Sequence, residues 1–249
     1  MQRKRLAAIV LAAGKGIRMK SARAKVLHSL LDRPILFYLL ETLKSMDLDR
    51  LIVVVGFQAE EVIGRFGDGW IEFVEQQEQL GTGHAVQQAE KALAGFSGDV
   101  LVLCGDMPLL KPGTLRDLVR RHRESGVQCS LLVLKTREAR DFGLVLRDGR
   151  GSVARIAEQR DATAEEKKVD EYNAGVYCFD KDLLFKALRE LDNNNAQKEY
   201  YLTDTVRYLA GNRFDILAIR TEDAEEVFGV NTEEDLKKAG EILRKRAKA

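Results

Sequence analysis

A chain of 249 residues is long enough for one large α/β domain or two small ones, and for a sizeable buried core. Its 40 basic and 39 acidic side chains leave a net charge of +1, so the overall field calls for neither nucleic acid nor a membrane surface, and any basic site must be local. No apolar run approaches the roughly 20 residues that span a bilayer. The short run Leu6–Leu11, behind a few basic residues, leads into a glycine loop as a first buried strand does, not as a signal peptide does; the expected compartment is the cytoplasm. Cys104, Cys129 and Cys178 are odd in number and lack a CxxC or Cys/His spacing, which predicts buried thiols in a reducing compartment.

Short apolar runs alternate with helical patterns: Leu6–Leu11 then Ile35–Ser45, Leu51–Val55 then Ala59–Arg65, Ile71–Val74 then His84–Ala94, Val100–Leu103 then Thr114–Glu124, and then Cys129–Leu134. Apolar strands separated by amphipathic helices predict a doubly wound α/β fold with a mostly parallel sheet. Its ligands bind beyond the carboxyl ends of the strands, where Gly14–Lys20, Gly81–Gly83 and Gly105–Pro108 fall. From residue 142 the alternating FGLVLRDGRGSVARIAE, turning at Asp148-Gly149-Arg150-Gly151, predicts a β-hairpin, in a later half expected to lie over the sheet as a lid. The polar run Asp161–Asp170 reads as a mobile surface segment, YNAGVYCF as a further strand, and Tyr201–Leu209 as a helix. Residues 232–249 form a closing helix with acids at its start and bases at its end, after a domain of residues 1–231.

Candidate chemistry gathers at the strand ends. The loop LAAGKGIRMK, residues 11–20, sets two glycines and three cations behind the first strand, and Lys25 adds another; together they could clamp a triphosphate, although the loop lacks both the P-loop ending and the dinucleotide spacing. Asp106 in CGDMP stands at a strand end, where a carboxylate can hold a hard metal ion or simply form a turn. Asn231 in GVNTEED offers an amide oxygen to the same ion, or else Asn231 or Thr232 caps the last helix. Gly81-Thr82-Gly83 opens a helix whose free N–H groups suit a base or phosphate. His84 is a candidate general base, but with no acid or nucleophile at a telling spacing it reads as a core or capping residue, and His122 reads as solvated on its helix. The polar stretch NNNAQKEYYLTD, residues 193–204, suits either a sugar or a helix cap.

In this order, LAAGKGIRM, AKVLH, QLGTGHA, CGDMPLL, FG at Phe142-Gly143, Glu158 in IAEQRDAT, Asn173 in YNAG, NNNAQKEYYLTD and GVNT resemble the nucleotidyltransferase family that makes nucleoside diphosphate sugars, and its uridylyltransferases above all. The resemblance runs from about residue 6 to 236. It implies a Rossmann-like, GT-A-type fold with a β-hairpin sugar-binding lid, and transfer of UMP from UTP to N-acetylglucosamine 1-phosphate. It further implies that Gly14 and the backbone of Leu11, Ala12 and Ala13 contact the nucleotide, that Gly105 and Asn231 also bind substrate, that Arg18 and Lys25 neutralise the phosphates, and that Gln76, Gly81 and Thr82 read the uracil. Gly143, Glu158 and Asn173 would hold the sugar, and Asp106 with Asn231 would bind Mg²⁺. Ile17, Ala24, Cys104, Ala174 and Lys198 depart from the family pattern, and Cys104 and Ala174 would lie near the sugar. Without the hexapeptide repeats that carry acetyl transfer and trimerisation in bifunctional members, the chain is expected to act as a uridylyltransferase alone, as a monomer or weak homodimer. The competing expectations are another sugar or nucleotide, and a nucleotide-sugar-binding module without turnover.

Overall fold

A computed structural model describes residues 4–67, 69–136 and 142–248. Ala249, the last residue of the expected closing helix, and residues 1–3 lie outside the described residues. In chain order the elements are β1 (Leu6–Ala12), the two-residue strands β2 (Ser29–Leu30) and β3 (Arg33–Pro34), α1 (Ile35–Lys44), β4 (Arg50–Val55), α2 (Ala59–Phe66), β5 (Glu72–Glu75), α3 (Thr82–Gln88), β6 (Asp99–Cys104), α4 (Pro112–Ser125), β7 (Cys129–Lys135), β8 (Leu144–Arg147), β9 (Val153–Ala157), β10 (Glu171–Asp180), α5 (Lys181–Arg189), α6 (Asp204–Gly211), β11 (Ile216–Arg220) and α7 (Glu233–Arg246).

The main sheet runs β11-β7-β10-β6-β1-β4-β5. Along this path pairing is parallel at β4–β5, β1–β4, β1–β6 and β11–β7, and β10 runs against its neighbours β6 and β7. The doubly wound, mostly parallel architecture is thus present. Alternation along each strand builds a core on both faces. Ala8 and Val10 of β1 pack with Leu36, Leu39 and Leu43 of α1 and Leu115 and Leu118 of α4, while Ala7 and Ile9 pack with Val86 of α3, Leu184 and Leu188 of α5 and Val206 of α6. A third cluster seats α7: Ala239 and Ile242 are buried with Leu30, Ile35, Leu109 and Val230.

Three expectations are corrected. The helix expected over His84–Ala94 begins at Thr82 and stops at Gln88, because Ala89 and Glu90 donate to carbonyls three residues back and the chain tightens into turns. His122 is not solvated: it is 1% exposed on the sheet-facing side of α4, where Nδ1 lies 2.9 Å from Ser130 Oγ and Nε2 3.5 Å from Asp99 Oδ1. The segment Asp161–Asp170 is exposed but tied down, since Arg155 pairs with Glu166, and Asp161 accepts from Ala196 N (2.8 Å) and Tyr201 OH (3.2 Å). The hairpin β8–β9 is present and is stitched to the sheet through Leu144 opposite Tyr172.

Asp99, fully buried at the start of β6, is bonded by Lys4 Nζ at 2.6 Å and Arg123 Nε at 2.8 Å. Burial opposes its ionisation, but hydrogen bonds from His122, Lys4 and Arg123 outweigh it and hold the carboxyl well below its ordinary value. A depressed folded pKa contributes stability that is complete above the unfolded value, about 3.9, and drains away as pH falls below it. Asp99→Asn should therefore cost about 3 kcal/mol near pH 7, the low end of what removing one partner of a buried ion pair costs, because Lys4 and Arg123 are themselves partly exposed. Urea denaturation at pH 7 and pH 3 checks this; the gap to wild type should narrow in acid, and an equal gap at both would break the argument.

Candidate active site

The carboxyl ends of β1, β4, β5 and β6 open on one side, and the loops leaving them build the site. After β1 the chain turns at Gly16, whose φ of +67° and distance of 2.6 Å between a built Cβ and Lys25 Cβ leave no room for a side chain. Two short 3-10 turns follow, Ile17–Met19 and Lys25–Leu27. Met19, Val26 and Leu27 are buried and anchor them, which aims Arg18 and Lys25 into the site.

Asp106 follows β6 by two residues, and its backbone carbonyl accepts from Val230 N at 2.9 Å. That bond brings Asn231 alongside. Lys25 Nζ pairs with Asp106 Oδ2 and donates to Asn231 Oδ1 at 3.1 Å, while Arg18 Nη2 donates to the same oxygen at 2.9 Å. Four residues spread over the whole sequence thus meet at one point. The capping alternatives resolve between neighbours: Thr232 caps α7 in a reciprocal box with Asp235, and the Asn231 side chain turns to the cations. A carboxylate oxygen and an amide oxygen converging on one ammonium form a donor pair that suits a hard divalent cation whose other positions are taken by water and phosphate oxygens. Among the described residues there is no cluster of three His, Cys, Asp or Glu side chains able to hold a metal without such help.

Beside this cluster lies a cavity of about 300 Å³ lined by Leu11, Ala12, Ala13, Gly14 and Lys25 on one side and Gln76, Gly81, Thr82, Cys104 and Asp106 on the other. Gly81 has a φ of +108°, and a Cβ there would stand 2.6 Å from Tyr200 O. Gln76, 3% exposed, donates to Gly81 O at 3.0 Å and lies 3.0 Å from His84 Nδ1. His84 thus braces the wall, and Thr82 Oγ1 accepts from Leu202 N at 3.0 Å. Burial and the neighbouring Asp106 carboxylate push the Cys104 thiol up to about 12, so it stays protonated.

A second, adjoining cavity of about 730 Å³ contains Arg18, Glu158 and Asn231. Glu158 accepts from Thr203 Oγ1 at 2.9 Å. Gly105, Gly143 and Asn173 are not on the wall of either cavity. Gly143 O accepts from Asn173 N at 2.7 Å, and the Asn173 amide is engaged within β10, donating to Tyr177 OH at 2.6 Å and accepting from Gly175 N at 3.1 Å. Sequence reasoning did not single out Gln79, and it named only the segments, not the side chains, of Gln159, Arg160, Gln197, Glu199 and Tyr201, all of which line these cavities. Burial raises the Glu199 carboxyl above its ordinary range and lifts the Tyr201 hydroxyl, with help from Asp161, to about 12.

The chain matches the family model described as nucleotidyl transferase over residues 7–224 and belongs to that family. It is 48% identical over 242 residues to the bifunctional protein GlmU of Pelobacter propionicus, covering 97% of this chain and 53% of that protein. It is 42% identical over 241 residues to the bifunctional protein GlmU of Acetivibrio thermocellus, covering 97% and 52%. The chain therefore spans about half the length of these curated relatives. Its fold superposes on a UDP-glucose pyrophosphorylase complexed with UDP-glucose with a TM-score of 0.79 at 16% identity, covering 97% of this chain and 99% of that one. No helix among the described residues is long and apolar enough to cross a membrane.

Proposed function

We propose that the chain transfers UMP from UTP to N-acetylglucosamine 1-phosphate, giving UDP-N-acetylglucosamine and pyrophosphate, with Mg²⁺ held by Asp106 and Asn231. The observation that carries this reading is the meeting of Arg18, Lys25, Asp106 and Asn231 at the mouth of the cavity beyond β1 and β6. Similarity to the GlmU proteins supports the choice of nucleotide and sugar.

A phosphate oxygen of the sugar phosphate attacks the α-phosphorus of UTP; a new P–O bond forms and the bond to pyrophosphate breaks. The nucleophile is an anion at neutral pH, so no protein base is required and catalysis is positioning and charge neutralisation. Mg²⁺, when bound, supplies further neutralisation of the phosphates. In this reading Arg18 and Lys25 turn from Asn231 and Asp106 to the phosphates, and the backbone from Leu11 to Gly14 lies along the nucleotide. Gln76, Gly81 and Thr82 face the uracil, Gly105 belongs to the substrate-binding set, and Gly143, Glu158 and Asn173 hold the sugar. For Asn173 that requires its amide to exchange Tyr177 or Gly175 for the substrate.

Cys104 on the cavity wall, whose sulfur a side chain at Gly175 would approach to 3.8 Å at its Cβ, supports a second reading, in which a different sugar 1-phosphate is used. Pyrophosphate release with UTP and Mg²⁺ decides between them, using N-acetylglucosamine, glucose, galactosamine and N-acetylgalactosamine 1-phosphates. Release with N-acetylglucosamine 1-phosphate alone is expected. Release only with another sugar would move specificity to Cys104 and Ala174, and none with any sugar would leave a binding module.

A further inference from the structure

We infer that Asp235, in the first turn of α7, is a positioning residue for the cation site, acting through Asn231. The inference rests on the functional reading above and concerns how Asn231 is held in place. Asp235 Oδ2 accepts two backbone N–H groups at once, from Asn231 at 3.0 Å and from Thr232 at 2.9 Å. The bond to Thr232 is half of an ordinary capping box, whose other half runs from Asp235 N to Thr232 Oγ1 at 3.1 Å. The bond to Asn231 is additional, and it fixes the peptide that carries the amide side chain.

The Asn231 side chain donates from Nδ2 to Gly229 O at 3.4 Å, and at its Oδ1 it is restrained by Arg18 and Lys25, which donate to it. Those are the groups that turn to the phosphates when nucleotide binds. From then on, the Asn231 side chain keeps the long bond from Nδ2 to Gly229 O at 3.4 Å, and the shorter holds that do not depend on the cations are at the backbone: Asp235 on its own N–H, and the bond from Val230 N to Asp106 O just before it. Losing Asp235 frees the peptide at the moment its oxygen is needed as a ligand. Helix α7 itself does not depend on that bond, because Ala239 and Ile242 are buried and Arg246 donates to Leu109 O at 2.7 Å.

Three variants separate positioning from capping. Asp235→Ala removes both bonds to the carboxylate, Asp235→Asn keeps an acceptor oxygen, and Thr232→Val removes the hydroxyl half of the cap while leaving Asp235 on Asn231. Mn²⁺ binding in the presence of UTP, followed by electron paramagnetic resonance, and the Mg²⁺ dependence of pyrophosphate release are both measured well below each variant's melting temperature. Removing an outer partner of a metal ligand typically costs about 10–100-fold in metal affinity or rate. Asp235→Ala is expected in that range on both readouts, with the KM for the sugar phosphate unchanged. Asp235→Asn should recover most of the loss, and Thr232→Val should lower the melting temperature without weakening Mn²⁺ binding. Wild-type Mn²⁺ affinity in Asp235→Ala would overturn the proposal, and so would an equal loss in Thr232→Val, which would reduce Asp235 to a helix cap. The comparison is made on binding, so a wild type that binds Mn²⁺ with UTP yet transfers nothing fails the functional reading and leaves the Asp235 result to stand or fall separately.

Discussion

Asp106→Asn is expected to lower the rate of pyrophosphate release by about 10²- to 10³-fold, the range observed when one preorganised electrostatic group is removed from a transition state. The substitution is isosteric, and the bond from Val230 N goes to the backbone carbonyl, so the link between the end of β6 and the segment before α7 survives. An asparagine amide can still accept from Lys25, and the pair is only partly exposed, with side-chain exposures of 18% for Lys25 and 14% for Asp106. The loss is therefore of charge, not of architecture: the site would be left with two neutral amide oxygens and no carboxylate, and a neutral oxygen holds a hard divalent cation less tightly than an anionic one. The melting temperature should stay near the wild-type value, while the Mg²⁺ concentration needed for half-maximal rate rises sharply. Near-normal turnover in a purified, folded Asp106→Asn variant would remove Asp106 from the site.

The same residue illustrates what the sequence could and could not disclose. An aspartate after a glycine reads equally well as a turn former, and an asparagine before a threonine as a cap, so neither Asp106 nor Asn231 is decisive alone. What joins them is topology: β1 and β6 are adjacent and parallel, so Lys25 and Asp106 leave the sheet at the same end, and the apolar alternation that predicts this is visible in the chain. Other features rest on contacts that no local pattern encodes. Strand β10 inserts against its neighbours, β11 is a half-exposed edge strand, and neither its reversal nor the helix α5 after it has a signal as strong as the first strands. Asn173 lies where the pairing of β10 with β7 slips between Asn173 and Tyr177, and that irregularity folds its amide onto Tyr177 and Gly175 instead of into the cavity. Glu199 and Tyr201 reach the cavity because Tyr200 bonds Leu80 N–terminal to the Gly81 turn and Gly83 just beyond it, through backbone groups that any residue could supply. His122 is buried where the helical pattern predicts a solvated residue, because the face of a helix that meets the sheet can include one polar residue when a buried serine and aspartate await it.

Lys25→Met is expected to produce two effects of opposite sign, and their combination distinguishes a phosphate-binding lysine from a structural one. The methionine keeps an unbranched stem of similar reach beside Gly16, whose missing Cβ leaves the space that the Lys25 Cβ occupies, so the short turn and its buried Val26 and Leu27 are retained. Turnover should fall by about 10²- to 10³-fold, because the ammonium no longer offsets charge on the reacting phosphates. Without nucleotide, affinity for a divalent cation should rise instead. In the free protein the Lys25 ammonium is bonded to both Asp106 Oδ2 and Asn231 Oδ1, so it competes for the two oxygens a metal ion would use. Removing it leaves a partly buried carboxylate without its principal counter-charge, which is costly and favours any cation that can enter. Mn²⁺ titration followed by electron paramagnetic resonance reads the second effect and pyrophosphate release the first. Lys25→Arg should not restore turnover, since a planar fork cannot replace a point charge lodged between a carboxylate and an amide oxygen. Loss of turnover with unchanged Mn²⁺ affinity would mean that Lys25 and the cation do not share a site, and unchanged turnover would take Lys25 out of the reaction altogether.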